Sequence, residues 1–274
     1  MSLKLAITAI LLSASGAAAT QNAPPAPNEV RKIVASKIIL VGDSTTAVTG
    51  GWGPSFCGYH VTSFAACVNL ARGGRSSGSY IAEGSWDLAL AEMRTAGYKN
   101  VWVLIQFGHN DQPGKPGRST DLKTEFPANL RRYVTEARKT GAKPILLTPL
   151  TRRIFKTGVL DNDLEPWAEA ARRVAAEMNV PLVDLNARSV AAVQALGETA
   201  SNAFAQLPEG SVPVGAAPLP VSPQTTEVAV VPTAVPKLAF DRTHLGRFGA
   251  DFFANMVTAE LIKAAPEMRP NLLP

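Results

Sequence analysis

The sequence has very few of the side chains that hold metal ions, since only two cysteines and three histidines occur in 274 residues. The histidines, His60, His109 and His244, are far apart in the chain, so no cluster has the spacing of a metal site. A structural or catalytic zinc ion is therefore not expected.

Dense basic runs with interleaved aromatic residues are also missing, although the formal net charge is +5. Such runs are typical of proteins that bind nucleic acid, so we expect no nucleic-acid partner. The modest positive excess suits an acidic polymer, an anionic surface or no particular partner.

The amino terminus has the pattern of a secretory signal peptide. Lys4 precedes the apolar residues 5–12, and a run of three alanines ends at Ala19, where we predict cleavage. A membrane anchor is the alternative, but residues 5–19 are fewer than the roughly 20 apolar residues that a spanning helix needs. We therefore predict an exported protein, periplasmic or extracellular, with no stable membrane association and with residues 20–36 leading into the fold.

Export would place the two cysteines, Cys57 and Cys67, in an oxidising compartment where they could form a disulfide. A loop that short contributes about 3 kcal/mol in the chain-entropy model. Two separate buried thiols are the alternative, and we favour the disulfide.

From about residue 30 onward, apolar strand-like runs alternate with amphipathic stretches, which is the pattern of βαβ units on a parallel sheet. The predicted strands are residues 37–41, 66–71, 100–107, 144–148 and 181–185. The predicted helices are residues 86–96, 125–140, 164–179 and 247–264. We therefore predict one α/β domain over residues 37–274.

Two of these helices have an apolar face that is visible in the sequence. In the helix over residues 125–140 Gly141 is the expected terminator, and the apolar face consists of Phe126, Leu130, Tyr133, Val134 and Ala137. In the last helix the residues predicted to pack on the sheet are Phe248, Phe252, Met256 and Leu261.

The composition changes between Ser189 and Val235, where no Lys, Arg or Asp occurs. The part over about residues 205–236 is rich in Pro, Val, Thr and Ala, which predicts a long and partly extended surface insertion. Two readings stay open: the insertion shapes substrate specificity, or it has no role.

The strand over residues 37–41 runs directly into Gly42-Asp43-Ser44, where the backbone must turn sharply. The turn would place Ser44 at the carboxyl edge of the sheet, where ligands bind in open α/β folds. The N–H of Ser44 would then face an incoming oxyanion. Alternatively, Asp43 and Ser44 only cap a following helix.

Two further loops follow the second and third predicted strands. Gly73 and Gly74 let the backbone approach a substrate closely, so an N–H there is a candidate oxyanion donor, although a Gly-Gly turn needs no function. Asn110, in the polar cluster 108–112, is a candidate amide donor. Its alternative is an Asx-turn that bonds its own backbone.

The last block contains Asp241 and His244, a carboxylate three residues before a histidine. In a turn, the carboxylate can accept a hydrogen bond from the Nδ1–H of the ring and leave Nε2 free to take a proton from serine. The alternative is an N-cap aspartate with an ordinary histidine. All four blocks fall at the carboxyl ends of successive elements. Together they indicate an active site far more specifically than any single block does.

These blocks resemble the GDSL esterases, also called SGNH hydrolases. The matching residues are Gly42-Asp43-Ser44, Gly74, Gly108-His109-Asn110-Asp111 and Asp241 with His244. Within that family the sequence is similar to the rhamnogalacturonan acetylesterases through Gly51-Trp52-Gly53, Asn69, Arg75-Ser76, Gln106-Phe107, the run Thr148 to Arg153, and Leu245. The likeness covers residues 37–262 and departs at residues 189–236, where the insertion is longer than usual.

The resemblance implies a flavodoxin-like three-layer α/β/α sandwich with a five-stranded parallel sheet. It also implies a serine esterase that removes acetyl groups from a cell-wall polysaccharide, above all acetylated rhamnogalacturonan, without a metal or organic cofactor. Ser44 would be the nucleophile, His244 the base and Asp241 its orienting carboxylate. The oxyanion would rest on the N–H groups of Ser44 and Gly74 and on the Asn110 amide. We expect a monomer.

Candidate substrate-binding residues are the arginines Arg75, Arg152 and Arg153, which suit galacturonate carboxylates, and Trp52, which suits a sugar face. Alternatively, Arg152 and Arg153 are surface charges and Trp52 is a core residue. Other functions also stay open: a general esterase, lipase or thioesterase, an acetylxylan esterase, or a carbohydrate-binding module without catalysis.

Overall fold

A five-stranded parallel sheet forms the centre of the computed structural model, which describes residues 33–210 and 240–274. Its strands are β1 (Ser36–Gly42), β2 (Ala65–Asn69), β3 (Val101–Gln106), β4 (Lys143–Leu147) and β7 (Leu182–Val183), in the order β2-β1-β3-β4-β7. The predicted signal peptide and nearly all of the predicted insertion lie outside the described residues and stay predictions.

The sheet is buried on both faces because its strands are continuous apolar runs. Along β1, Ile38 and Leu40 contribute to one core, and Ile39 and Val41 contribute to the other. Successive side chains point to opposite faces of a strand, so one short segment holds the two layers of helices together.

Helices cover both faces and complete the predicted three-layer α/β/α sandwich. The helices that share a core with Ile38 and Leu40 are α1 (Gly53–Tyr59), α6 (Leu185–Asn202), α7 (Arg247–Ala264) and the 3-10 helix Pro266–Asn271. The helices on the other core are α2 (Ser77–Ala82), α3 (Ser85–Met93), α4 (Glu125–Lys139) and α5 (Glu165–Glu177).

The two helix faces predicted from the sequence have different outcomes. The predicted face of α4 is buried as expected, and Gly141 follows the helix with φ +86°. In α7 the prediction is partly wrong, because Phe248 is 63% exposed. Leu261 is buried as predicted, and Phe252 and Met256 pack against the core while partly buried. The rest of the buried face of α7 consists of Gly249, Ala250, Phe253, Ala254, Val257 and Thr258.

The last predicted strand is shorter than expected because a helix begins inside its predicted range. Asp184 is the N-cap of α6, and its side chain accepts a hydrogen bond from the N–H of Ala187. Helix α6 also occupies the first part of the lysine-free and arginine-free segment, and it is interrupted at Gly197. The small antiparallel hairpin of β5 (Phe155–Lys156) and β6 (Val159–Leu160) was not predicted.

A disulfide joins Cys57 of α1 to Cys67 of β2, with a Cα–Cα distance of 5.5 Å. The bond ties the edge strand of the sheet to the helix that follows the Ser44 loop. Within the two described ranges, no helix is long and apolar enough to cross a membrane.

We expect Leu104→Ala to lower the free energy of unfolding by about 3 kcal/mol, because it opens a cavity beneath the central strand β3. Leu104 is 1% exposed. Urea denaturation measures the change. Leu88→Ala in α3 is the control, since Leu88 is 61% exposed and alanine suits a helix. Equal losses in the two variants would contradict this description of the core.

Candidate active site

The loop after β1 positions Ser44 at the carboxyl edge of the sheet. Asp43 is fully buried, and its Oδ1 accepts hydrogen bonds from the Thr45 N–H at 2.9 Å and the Thr45 hydroxyl at 2.8 Å. No helix follows directly, since α1 begins only at Gly53, so the capping alternative does not hold. Ser44 itself is partly exposed at this turn.

Gly42 is required where β1 ends. A Cβ at this position would lie 2.7 Å from the carbonyl oxygen of Gln106 on the neighbouring strand. The absence of a side chain lets the two strand ends approach closely, and Ser44 therefore emerges beside the loop that follows β3.

The glycine loop after β2 lies next to Ser44. The Arg72 N–H donates to the Gly42 carbonyl at 2.9 Å, and a Cβ at Gly73 would lie 3.7 Å from the Ser44 Cβ. Gly74 has φ +78°, a conformation that favours glycine. The predicted oxyanion loop is therefore in contact with the predicted nucleophile.

Asn110 follows β3 and is linked to the same loop. Its Nδ2 donates to the carbonyl of Arg75 at 3.1 Å, and the residue is 8% exposed. This bond joins the loops after β2 and β3, so Gly74 and Asn110 are held close to each other.

Asp241 and His244 form a tight turn before α7. Asp241 Oδ2 lies 2.9 Å from His244 Nδ1, and Oδ1 accepts from the backbone N–H groups of Thr243 and His244 at 2.7 and 2.6 Å. Burial raises the pKa of Asp241, but the hydrogen bonds from His244 and the backbone outweigh it and lower the pKa from 3.8 to about 2. Asp241 is therefore ionised at neutral pH.

Backbone contacts join this turn to the Ser44 loop. The Leu245 N–H donates to the Gly50 carbonyl at 2.8 Å, and a Cβ at Gly50 would lie 3.2 Å from Cδ2 of the His244 ring. Across the described ranges no hydrogen bond connects the Ser44 hydroxyl with His244. The turn is thus docked on the loop that carries Ser44, while the two side chains are not yet bonded.

Arg153 does not lie in a substrate-binding position, contrary to the prediction. It is fully buried, and its guanidinium donates to the carbonyls of Asp241 at 3.0 Å, His244 at 2.9 Å and Thr243 at 3.4 Å. Its own N–H donates to the Arg242 carbonyl at 2.8 Å. Burial lowers the pKa of Arg153 to about 10. In this structure Arg153 holds the turn and does not face a substrate.

Trp52 also lies in the core. Its ring is fully buried and its Nε1 donates to Gln106 Oε1 at 2.9 Å, so it has no face open to a sugar. Arg75 is more accessible than Trp52, but it forms an ion pair with Glu83 at 2.7 Å and donates a hydrogen bond to the Gly73 carbonyl at 2.9 Å.

Arg152 lines an open depression of about 550 Å³ beside the Asp241–His244 turn. The depression is lined by Arg152, Ile154, Phe155, Glu198, Arg242 and Thr243. Arg152 is paired with Asp163 and donates to Gln112 Oε1 at 2.9 Å. Of the three predicted substrate-binding arginines, Arg152 is the one that lines this depression.

The sequence reading missed a buried pair directly behind the site. Asp43 Oδ2 lies 3.3 Å from His109 Nδ1, and both side chains are almost completely buried. Burial raises the pKa of Asp43, but His109 and Thr45 outweigh it and hold the pKa below its ordinary value. The pair joins the residue before Ser44 to the residue before Asn110.

Asp111 is a second buried acid in this region. Its carboxylate accepts from the Ser77 hydroxyl at 2.6 Å and the Thr120 hydroxyl at 2.9 Å. Burial raises its pKa to about 6, against the opposing effect of these bonds. Asp111 thus fastens the loop after β3 to the start of α2. Within the described parts of the chain, no three His, Cys, Asp or Glu side chains could together hold a metal ion.

Comparisons with known proteins agree with the predicted resemblance. A model of the GDSL-like lipase/acylhydrolase family matches residues 40–208. The probable rhamnogalacturonan acetylesterase YesY of Bacillus subtilis is 35% identical over 184 residues, 65% of this chain and 82% of YesY. The rhamnogalacturonan acetylesterase RhgT of the same organism is 36% identical over 169 residues, 59% of this chain and 69% of RhgT.

Solved structures with low sequence identity share the fold. The Bacillus subtilis protein YXIM superposes with a TM-score of 0.61 at 22% identity over 84% of this chain, which spans only 57% of that protein. The acetylxylan esterase Axe2 of Geobacillus stearothermophilus gives a TM-score of 0.55 at 20% identity over 84% of this chain and 96% of Axe2. These two likenesses support the α/β/α fold alone.

We expect Arg153→Met to lower the free energy of unfolding by at least about 2 kcal/mol, because it leaves buried carbonyl groups without a donor. Urea denaturation measures the loss. Arg173→Met in α5 is the control, since Arg173 is 62% exposed and its pair with Glu169 is a surface ion pair. A variant as stable as the control would show that Arg153 does not hold the turn.

We expect Asp241→Asn to destabilise the protein at neutral pH and much less in acid. The folded state lowers the pKa of Asp241 from 3.8 to about 2, so its stabilisation is present above the unfolded pKa and is lost as the pH falls toward 2. Urea denaturation of wild type and variant across this interval measures the difference. Asp87→Asn, at an exposed position of α3, is the control. A difference that does not change with pH would contradict the assignment.

Proposed function

The chain belongs to the GDSL-like lipase/acylhydrolase family, and on that basis we propose that it is a serine esterase that removes O-acetyl groups from a cell-wall polysaccharide. Two curated relatives named as rhamnogalacturonan acetylesterases, at 35% and 36% identity, support an acetylated pectic polymer as the substrate. The likeness to an acetylxylan esterase is at the level of fold and supports no particular polymer.

The single observation that carries the proposal is the orientation of His244. Its Nδ1 is held by the Asp241 carboxylate at 2.9 Å, so Nε2 is the nitrogen available to accept a proton. The side chain is 37% exposed, which leaves the ring accessible to a polymer at the sheet edge. A histidine held only for structure would not need an accessible second nitrogen.

The first chemical step follows from this orientation. Ser44 Oγ attacks the acetyl carbonyl carbon while His244 Nε2 takes its proton, and Asp241 stabilises the imidazolium that forms. The imidazolium then returns the proton to the sugar oxygen, which leaves as an alcohol. The acetyl group remains on Ser44 until water, activated by the same histidine, releases acetate.

The oxyanion of each tetrahedral intermediate needs donors at the same edge. The candidates are the N–H groups of Ser44 and Gly74 and the Asn110 amide, which the bond from Asn110 to the Arg75 carbonyl holds beside the glycine loop. Removal of one such donor typically costs about 3 kcal/mol of transition-state stabilisation.

Substrate binding must bring Ser44 and His244 into hydrogen-bond contact. Catalytic hydrogen bonds are often unformed in a free enzyme and tighten in the substrate complex. The turn that carries His244 is already docked on the Ser44 loop, because the Leu245 N–H donates to the Gly50 carbonyl at 2.8 Å.

We also propose that the protein is exported and acts as a monomer outside the cytoplasm. Lys4, the apolar residues that follow it and the three alanines ending at Ala19 support export. A polymeric substrate is found outside the cell, which agrees with this location.

We expect Ser44→Ala to lower acetate release by at least about 10³-fold, because it removes the nucleophile. Acetate is measured with acetylated rhamnogalacturonan, acetylated xylan and p-nitrophenyl esters of increasing acyl length. Ser63→Ala is the control, since Ser63 is exposed in the turn before β2.

Each outcome has a defined meaning. Fastest release from the pectic polymer, lost in Ser44→Ala and kept in Ser63→Ala, supports the proposal. Activity that rises with acyl length favours a lipase, and a faster reaction on xylan favours an acetylxylan esterase. Undiminished activity of Ser44→Ala would rule out the serine mechanism.

A further inference from the structure

Three cationic side chains gather beside the candidate oxyanion donors. Arg118 Nη1 lies 3.4 Å from the Gly74 carbonyl and 3.5 Å from Asn110 Oδ1. Lys115 donates to the carbonyl of His109, and Arg152 Nη2 reaches the same carbonyl at 3.5 Å. Two of them come from one short loop, residues 112–120, which we call the cation loop.

The cation loop is held by its own hydrogen bonds. The Ser119 hydroxyl donates to the Gln112 carbonyl at 2.8 Å and accepts from the Lys115 N–H at 2.9 Å. The Arg118 N–H donates to the Lys115 carbonyl at 3.0 Å, and the Thr120 N–H donates to the Asp111 carbonyl at 3.0 Å. The loop therefore presents its two cations from a fixed backbone at the edge of the site.

The charges of this cluster are not balanced. Arg152 is paired with Asp163. Neither Lys115 nor Arg118 has a carboxylate within salt-bridge distance in the described part of the chain. Both side chains are partly buried. Two partly desolvated cations without an anion are an unfavourable arrangement unless a ligand supplies the negative charge.

The pKa of Lys115 is consistent with this imbalance. Burial lowers it, and the positive charges of Arg152 and Arg118 lower it further, while Asp43 and Asp163 act in the opposite direction. The net effect is a pKa below the ordinary value for lysine, so an anion bound here would relieve repulsion among the cations.

We propose that Lys115 and Arg118 bind the carboxylate of a uronic acid residue of the acetylated polymer. This inference rests on the proposed function and deepens it, because Arg118 contacts the residues that would hold the ester carbonyl. A planar guanidinium matches a carboxylate in two parallel hydrogen bonds, and the lysine adds a point charge. A neutral polymer such as xylan backbone offers no such group.

Binding of two unacetylated probes tests the site without any reaction. We expect trigalacturonate to bind wild type in isothermal titration calorimetry, and Arg118→Gln and Lys115→Gln each to bind it at least about tenfold more weakly, a factor equal to about 1.4 kcal/mol. Neutral xylotriose should bind all three proteins equally weakly. Arg94→Gln is the control, because Arg94 is an exposed arginine at the far end of α3 and should bind like wild type.

Kinetics supply the second readout. The ratio of kcat/KM on acetylated rhamnogalacturonan to kcat/KM on p-nitrophenyl acetate should fall at least about tenfold in both variants, since each removes a contact worth roughly that factor. Any of three results would overturn the proposal. The ratio is unchanged in the variants, the variants bind trigalacturonate as tightly as wild type does, or wild type binds trigalacturonate no more tightly than xylotriose. If wild type binds trigalacturonate through these residues but releases no acetate from any substrate, the proposed esterase function fails and the uronate site stands.

Discussion

The buried guanidinium of Arg153 is the interaction on which the arrangement of the site depends. It reaches from the segment after β4 across to the Asp241–His244 turn and donates to the carbonyls of Asp241, Thr243 and His244. A turn has few hydrogen bonds of its own, so it fixes the position of a histidine side chain only if other residues hold its backbone. Arg153 supplies these bonds from inside the protein, and the partly exposed side of the turn remains available for chemistry.

The parallel sheet provides the second constraint. The loops after β1, β2 and β3 emerge at one edge because these strands are neighbours, and hydrogen bonds between the loops then fix their spacing. The Arg72 N–H bonds to Gly42, Asn110 bonds to the Arg75 carbonyl, and Asp43 lies against His109. Each candidate oxyanion donor is therefore held by a neighbouring loop as well as by its own strand.

Acidic and basic groups near the site have different surroundings. Asp43 and Asp111 are fully buried, and their carboxylates accept hydrogen bonds from neighbouring hydroxyl and N–H groups. Lys115 and Arg118 are partly exposed and lack a carboxylate partner among residues 33–210 and 240–274. Lys115 and Arg118 thus supply positive charge without a carboxylate partner at this edge, which suits a negatively charged polymer.

The sequence alone determined the parallel α/β fold, the α4 face and the residues of the four loops, because strand and helix periodicity and turn chemistry are local properties. Only the tertiary structure decided what Trp52, Arg153, Phe248 and the cation loop do. Arg153 and Asp241 are 88 residues apart in the chain, and whether an arginine faces solvent or a distant turn depends on long-range packing. Likewise, Phe248 is exposed because the neighbouring residues Gly249, Ala250 and Phe253 form the buried side of α7.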